Sequence, residues 1–285
     1  MNSPSVSPRR IWLRFRLRTL LLATAAVAVL LGGFAHWRDA KRREWRAGET
    51  LLNRGGSVGY VDGRPIAEQS RWIQLLARVL PDECLRTAIW VEFPRSTDDE
   101  KLALLVDLPH TRTLHLDELE HVTPAGLAPL SGLAELEFLY LKNTPAGDAG
   151  LAHLRSRHNL QEMWLRGANI SDASMPWIGS NRRLTHLDLD GSDIHDESLV
   201  HLSQLQNLEV LSLGRSPITS RGLASLAGLP RLKHLYLWRT GIDDAGLAHL
   251  ERIATLRGLD VRYTAVTPAG RERLKRALPR CQFVE

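Results

Sequence analysis

The chain repeats itself every 24 residues, and that period restricts the fold more than any other feature of the sequence. Leu136, Leu160, Leu184, Leu208, Leu232 and Leu256 stand 24 apart. Three residues after each come Leu139, Met163, Leu187, Leu211, Leu235 and Leu259, and two further on Leu141, Leu165, Leu189, Leu213, Leu237 and Val261. A small or hydroxylated column follows (Thr144, Ala168, Ser192, Ser216, Thr240, Thr264), then an apolar one running from Ala146 and Ile170 to Ile242 and Val266. With one inserted residue, two earlier copies fit, Leu114 and Leu116 in one and Ile89 and Val91 in the other. A fixed period held in so many columns predicts stacked repeats, each burying its apolar residues against its neighbours.

Each repeat divides into a short strand and a short helix. The paired leucines alternate, as a strand with one buried face requires. Ser171, Thr219, Asp243 and Thr267 then sit where a side-chain oxygen can accept from the first free N–H groups of a helix. Pro124 and Pro268 follow Thr123 and Thr267, at the position where proline costs a helix least. Asp148, Asp172, Asp196 and Asp244 share one first-turn position, where they complement the positive helix end. Gly126, Gly150, Gly222, Gly246 and Gly270 recur just before the inward leucines. A helix loses roughly 1 kcal/mol to glycine over alanine, so these glycines predict close approach between repeats. The fold class expected is α/β: a solenoid of about eight strand–helix repeats with a parallel sheet on its concave side. Eight strands at roughly 4.8 Å spacing make that sheet about 35–40 Å long.

The ends differ from the repeats. Residues 1–46 hold 10 Lys+Arg against 2 Asp+Glu, and the remainder 27 against 30, so the repeats are near neutral and the high pI comes from the N-terminus. A nucleic-acid-binding domain carries its positive charge on the folded part, and no nucleic-acid partner is expected. Residues 19–35, TLLLATAAVAVLLGGFA, run for 17 residues without a charge between basic flanks, with Trp12 and Trp37 placed as interface residues would be. A cleaved signal peptide is the competing reading, since Gly33 and Ala35 resemble a small-x-small site. The length of the run and the helix-like charged continuation favour an uncleaved anchor. The division expected is a basic tail (1–18), a single transmembrane helix (19–37), a charged helical linker (38–54), an N-terminal cap (55–85), repeats (86–279) and a closing strand (280–285). The cap opens on the turn-rich GGSVG and contains a helix with Trp72, Leu75, Leu76, Val79 and Leu80 on one face. Cys84 and Cys281 lie at opposite ends of the solenoid and give neither a disulfide framework nor a metal spacing.

Function, if it resides on the repeats, is expected on the concave face, where side chains between the paired leucines point outward. The central column reads Trp90, His115, Tyr140, Trp164, Asp188, Ser212, Tyr236, Asp260. Two residues before it stand Phe138, Glu162, His186, Val210 and His234; two after it, Lys142, Arg166, Asp190, Gly214, Trp238 and Arg262. Arg215, Arg239 and Tyr263 lie at the next position, on the rim. The candidate partner-binding residues are Phe138, Tyr140, Trp164, Arg166 and Asp188 in one half, and Tyr236, Trp238, Arg239, Arg262 and Tyr263 in the other. Aromatics and arginine are the types enriched at binding hot spots. The competing reading is cross-strand ring packing, each pair contributing roughly 0.2–1 kcal/mol. Glu162, His186, Asp188 and Asp190 resemble a metal or acid–base group in composition, but an open face supplies no dry pocket, and a solvated polar face is the simpler reading. The aspartate ladder is explained by helix capping without calcium. No GxGxxG after a strand, GxxxxGK[ST], HExxH or GxSxG occurs. No catalytic residue, cofactor or metal is expected, and the chain reads as a non-enzyme.

These residues carry a family likeness. LxxLxLxxTxIxDxGLxxLxxL is matched at 232–253, so residues 86–279 resemble leucine-rich repeats of the roughly 24-residue kind. They are similar to the repeats of eukaryotic F-box adaptor proteins, although no F-box precedes them. RFRLRTLLLATAAVAVLLG at 14–32, GGSVGY at 55–60, the Trp72 helix and ALPRCQ at 277–282 make the whole layout resemble bacterial, planctomycete-type, membrane-anchored leucine-rich repeat proteins. The resemblance implies a single-pass membrane protein with its solenoid on the non-cytoplasmic side, and no catalytic activity. The function expected is binding of a protein partner on the concave face. An architectural, self-associating envelope role and an adaptor role for an enzyme complex are the alternatives.

Overall fold

A computed structural model describes residues 8–62 and 86–284. The chain divides into two compact units, Met1–Arg46 with Gly63–Arg86, and Ala47–Asp62 with Thr87–Glu285. Apart from Arg86, the described part of the first unit belongs to one helix, Pro8–Asn53, in which Lys41 Nζ pairs with the buried Glu44 at 2.8 Å. Among the described residues no helix is long and apolar enough to cross a membrane. The span expected at 19–37 lies inside Pro8–Asn53, and its side chains up to Val27 fall outside the described residues. The expected Trp72 cap helix and Cys84 also lie outside them.

The second unit is a solenoid built on one ten-stranded sheet, with strands in chain order. They are β1 (Ser57–Asp62), β2 (Arg86–Glu92), β3 (Thr113–His115), β4 (Phe138–Tyr140), β5 (Glu162–Trp164), β6 (His186–Asp188), β7 (Val210–Ser212), β8 (His234–Tyr236), β9 (Gly258–Asp260) and β10 (Gln282–Phe283). Pairing is parallel from β2 to β10. The middle residue of each short strand, from Leu114 to Leu259, is fully buried, while its neighbours are mostly half-exposed. The leucine columns form one continuous core that Ala47 and Leu51 also enter.

Three sequence expectations need correction. The segment 57–62 is a strand, where GGSVG reads as a turn. In β2, Val91 pairs in register with Leu114 and Trp90 with Thr113. Phe93, at 3% exposure, is therefore the counterpart of Leu116, and the first repeat lies two residues from the register that Ile89 and Val91 suggest. The helical halves are in part 3₁₀ rather than α, as at Ala125–Gly132, Asp196–Gln204 and Gly222–Leu226. A short repeat leaves few residues for this half, and 3₁₀ turns are the form short connectors take.

The capping predictions hold in detail, and the aspartates do more than the helix-end argument requires. Ser171 Oγ accepts from Ala173 N–H, Asp243 from Ala245 and Gly246, and Thr267 from Gly270. Each ladder aspartate also reaches the following repeat. Asp148 accepts from Ser171 N–H at 3.1 Å and from the hydroxyls of Ser171 and Ser174, both at 2.5 Å. Asp196 accepts from Thr219, and Asp244 from Thr267, through N–H and hydroxyl alike. Asp172 takes His195 N–H and Nδ1, each at 2.9 Å. Asp99, which the column did not reveal, does the same for Thr123. Where the next repeat carries glycine, it leaves room for the carboxylate: a Cβ at Gly270 would lie 2.0 Å from Asp244 Oδ1. Ser174 fills the same place beside Asp148 and donates to it.

Candidate interaction site on the sheet face

Outward side chains of neighbouring strands meet because the register is in step. Tyr140, Trp164, Asp188, Ser212, Tyr236 and Asp260 are direct cross-strand partners. What they do there differs between the two halves of the sheet.

In the β2–β6 half the rings stack on one another. His115 lies parallel to Tyr140 with centroids 4.1 Å apart, and Tyr140 to Trp164 at 6.1 Å with planes only 7° apart. Trp90 and His186 extend the row at its ends, at 5.4 and 6.3 Å. Glu162 ties the row together, accepting from Trp164 Nε1 at 3.0 Å and from the Tyr140 hydroxyl at 3.3 Å. Burial, with help from that carboxylate, pushes the Tyr140 hydroxyl up to about 12. This is cross-strand ring packing, and Tyr140 is committed to it. Phe138 is half-buried on the same stretch.

The β5–β9 half encloses a hollow of about 660 Å³. Eight of the ten candidate residues line it: Trp164, Arg166, Asp188, Tyr236, Trp238, Arg239, Arg262 and Tyr263; Phe138 and Tyr140 do not. His186, Arg215, Asp190 and Asp260 also line it. Arg215 was legible from the period, since it stands 24 residues before Arg239.

Trp238 occupies the centre. Its Nε1–H donates to Asp190 Oδ2 at 3.0 Å, two repeats back, so the indole lies across the intervening Gly214. A Cβ at Gly214 would sit 2.1 Å from Trp238 Nε1, so only glycine lets the ring lie there. Asp190 is buried and also accepts from Ser212 Oγ and Gly214 N–H. Three guanidinium carbons surround the indole, Arg166 at 5.8 Å, Arg215 at 5.9 Å and Arg239 at 6.0 Å from its centroid, within cation–π range. Arg239 also lies 5.2 Å from the ring of Tyr263, which is 75% exposed.

The other charges of the hollow are largely spoken for. Arg262 closes a fork on the buried Asp260, Nε to Oδ1 at 2.9 Å and Nη2 to Oδ2 at 2.7 Å. Burial raises the Asp260 carboxyl, but that fork outweighs it and the net shift is downward. Arg262 was expected to face a partner, and its head group is instead occupied within the chain. Asp188 accepts the N–H of Asp190 at 2.9 Å. Burial, against that bond, pushes its carboxyl up to about 6. Glu162 faces His186 at 3.5 Å. Among the described residues no group of three or more His, Cys, Asp or Glu side chains is placed to hold a metal ion.

The backbone separates the two halves as well. One turn position after each strand is left-handed, in the order Glu118, Asn143, Gly167, Gly191, Arg215, Arg239, Tyr263. Asn and Gly adopt this conformation readily; a bulky side chain there costs roughly 1–2 kcal/mol. The three residues that bear that strain in succession, Arg215, Arg239 and Tyr263, are all on the hollow.

Residues 182–242 match the leucine rich repeat family profile. No curated protein matches the chain. Among solved structures it is similar to internalin C2 of Listeria monocytogenes strain 4b F2365, with TM-score 0.51, 22% identity and coverage of 71% of this chain and 82% of that one. It is also similar to an internalin (inlF) of the same strain, with TM-score 0.44, 16% identity and 64% of this chain covered. For a leucine-rich repeat protein of Leptospira interrogans the values are 0.45, 17% and 68%. The chain spans 62% and 52% of the length of these last two. Identity at this level speaks to fold alone. With the match over 182–242, the likeness to internalin C2 supports a leucine-rich repeat fold.

Proposed function

We propose that the chain is a membrane-anchored, non-enzymatic interaction module whose concave sheet face holds a protein partner. The observation that carries this reading is the hollow on β5–β9. Its central indole is partly exposed, and of the three guanidiniums around it only Arg166 acts on a carboxylate, Asp188, without a direct ion pair. Aromatic and arginine side chains grouped around a depression are the composition of a binding hot spot. The backbone strain at Arg215 and Arg239 supports the same reading, because unusual conformations cluster at functional sites.

Anchoring rests on the uncharged run 19–35, its basic flanks and Trp37, which is 38% exposed. A solenoid on the non-cytoplasmic side follows from the resemblance to anchored repeat proteins. The test uses the full chain in detergent as bait for native envelope extract, beside a Trp164→Ala/Trp238→Ala chain shown by circular dichroism to be folded. A protein retained by the first and released by the second is the expected result. Equal retention by both would remove the sheet face as the binding surface.

A further inference from the structure

The three arginines around Trp238 come from three different strands. Arg166, Arg215 and Arg239 follow β5, β7 and β8, so at roughly 4.8 Å per strand their backbones span about 14 Å along the sheet. Their guanidinium carbons converge to within 6.0 Å of the Trp238 centroid, so a ligand that meets all three must reach around the indole rather than sit on one arginine. An extended chain repeats its same-side residues every ~6.7 Å, so three alternate positions cover about 13 Å. The site also offers an indole face between the charges, which suits an apolar group flanked by acids. The hollow's carboxylates, Asp188, Asp190 and Asp260, are outnumbered by Arg166, Arg215, Arg239 and Arg262. Asp188 feels Arg166 through space, and neither Arg215 nor Arg239 has a carboxylate in ion-pair contact among the described residues. Asp190 is occupied by Ser212, Gly214 and Trp238, Asp260 by Arg262, and Asp188 by the N–H of Asp190.

We propose that the arginines around Trp238 dock an acidic, extended segment of a partner protein, with alternate carboxylates on Arg166, Arg215 and Arg239 and an apolar side chain over the indole. The proposal rests on the reading of the sheet face as the partner-binding surface and names the chemistry of what it binds. It also explains why arginine persists at two left-handed turn positions where Asn143, Gly167 and Gly191 show the relaxed choice.

The test measures binding of the full chain to an alternating Glu–Thr peptide carrying one central Leu, by the change in tryptophan fluorescence. Gln–Thr and Lys–Thr counterparts, inorganic phosphate and polygalacturonate are the comparison probes. The Glu peptide is expected to bind, to weaken with added salt, and to lose about tenfold in affinity for each arginine removed. The variants are Arg215→Asn and Arg239→Asn, because asparagine already occupies this backbone conformation at Asn143 and a loss cannot then be ascribed to unfolding. Unchanged affinity in the double variant overturns the proposal. Equal binding of phosphate, or tighter binding of polygalacturonate than of the peptide, overturns it in favour of a small anion or an acidic polysaccharide. If a native partner is retained by the wild type, lost with Trp164→Ala/Trp238→Ala and kept by the asparagine double variant, only this proposal fails. If the tryptophan variants also keep it, the reading of the sheet face fails too.

Discussion

The helix-entry turns and the sheet-face hollow both recur with the repeat, and both are rich in aspartate and its donors, yet they use them in opposite ways. In the turns, Asp148, Asp196 and Asp244 place both oxygens on the N–H and hydroxyl of the next repeat; Gly222 and Gly270 clear the space for Asp196 and Asp244, and Ser174 adds a hydroxyl to Asp148. In the hollow, Asp188 stays half-buried with a raised carboxyl, and three guanidiniums surround an indole whose N–H is held by Asp190. The turns repeat this solution at Asp99, Asp148, Asp172, Asp196 and Asp244, with Pro124 and Ser220 in the column's other two places. The hollow departs from the repeat: Trp238 is the aromatic in a column of Lys142, Arg166, Asp190, Gly214 and Arg262, and Arg215 and Arg239 replace glycine and asparagine. Satisfied repetition marks the frame of this solenoid, and departure from it marks the surface available for a partner.

The largest expected effect lies in the frame. Asp148→Ala strands Ser171 N–H and two hydroxyls, and should cost about 3 kcal/mol in urea unfolding. It should leave the Trp238 environment unchanged in near-ultraviolet dichroism; a loss of that signal would mean that the two regions are not separable. Next comes a difference in pH behaviour. Hydrogen bonds from Ser171 and Ser174 outweigh the burial that raises Asp148, so its net shift is downward. In Asp172, Ser198 and His195 likewise outweigh burial. Their contribution is present above the ordinary carboxyl value and is lost as pH falls through the lowered one. Asp188 behaves in the opposite sense. Its contribution is full below the ordinary 3.8 and is lost as pH rises to about 6. Asp188→Asn should therefore stabilise the protein by on the order of 2 kcal/mol above that pH and by little at low pH, seen as a pH-dependent gain in melting temperature. The smallest effect is at the turns of the hollow. Arg215→Asn should raise stability by roughly 0.5–1 kcal/mol by relieving the left-handed backbone. A loss of stability there would show that the arginine supports the fold.

The frame was legible because each of its residues recurs. The buried columns, the caps and the glycines could all be read from spacing, and even the close approach of Gly270 to its neighbour follows from the cost of a helical glycine. The first repeat was misread because Ile89 and Val91 are as apolar as Val91 and Phe93, and only pairing with Leu114 distinguishes the two registers. The aspartates were assigned to helix ends because spacing cannot show that a carboxylate reaches into the next repeat, as Asp148 does to Ser171. For the hollow, the columns placed most of its lining side chains on one face. What spacing could not show is where each head group goes. Arg262 folds onto Asp260, Tyr140 stacks between His115 and Trp164, and Trp238 reaches two repeats back to Asp190. Those are choices among rotamers, decided by three-dimensional neighbours.

Amide hydrogen exchange of the full chain, with and without a partner retained from native envelope extract, tests the central claim most directly. The account predicts that protection gained on binding is confined to the turns after β5 to β9, around Arg166, Arg215, Trp238 and Arg239. Protection gained instead at the helix-entry turns, at Ser171, Thr219 and Thr267, would place the partner on the frame and contradict the account.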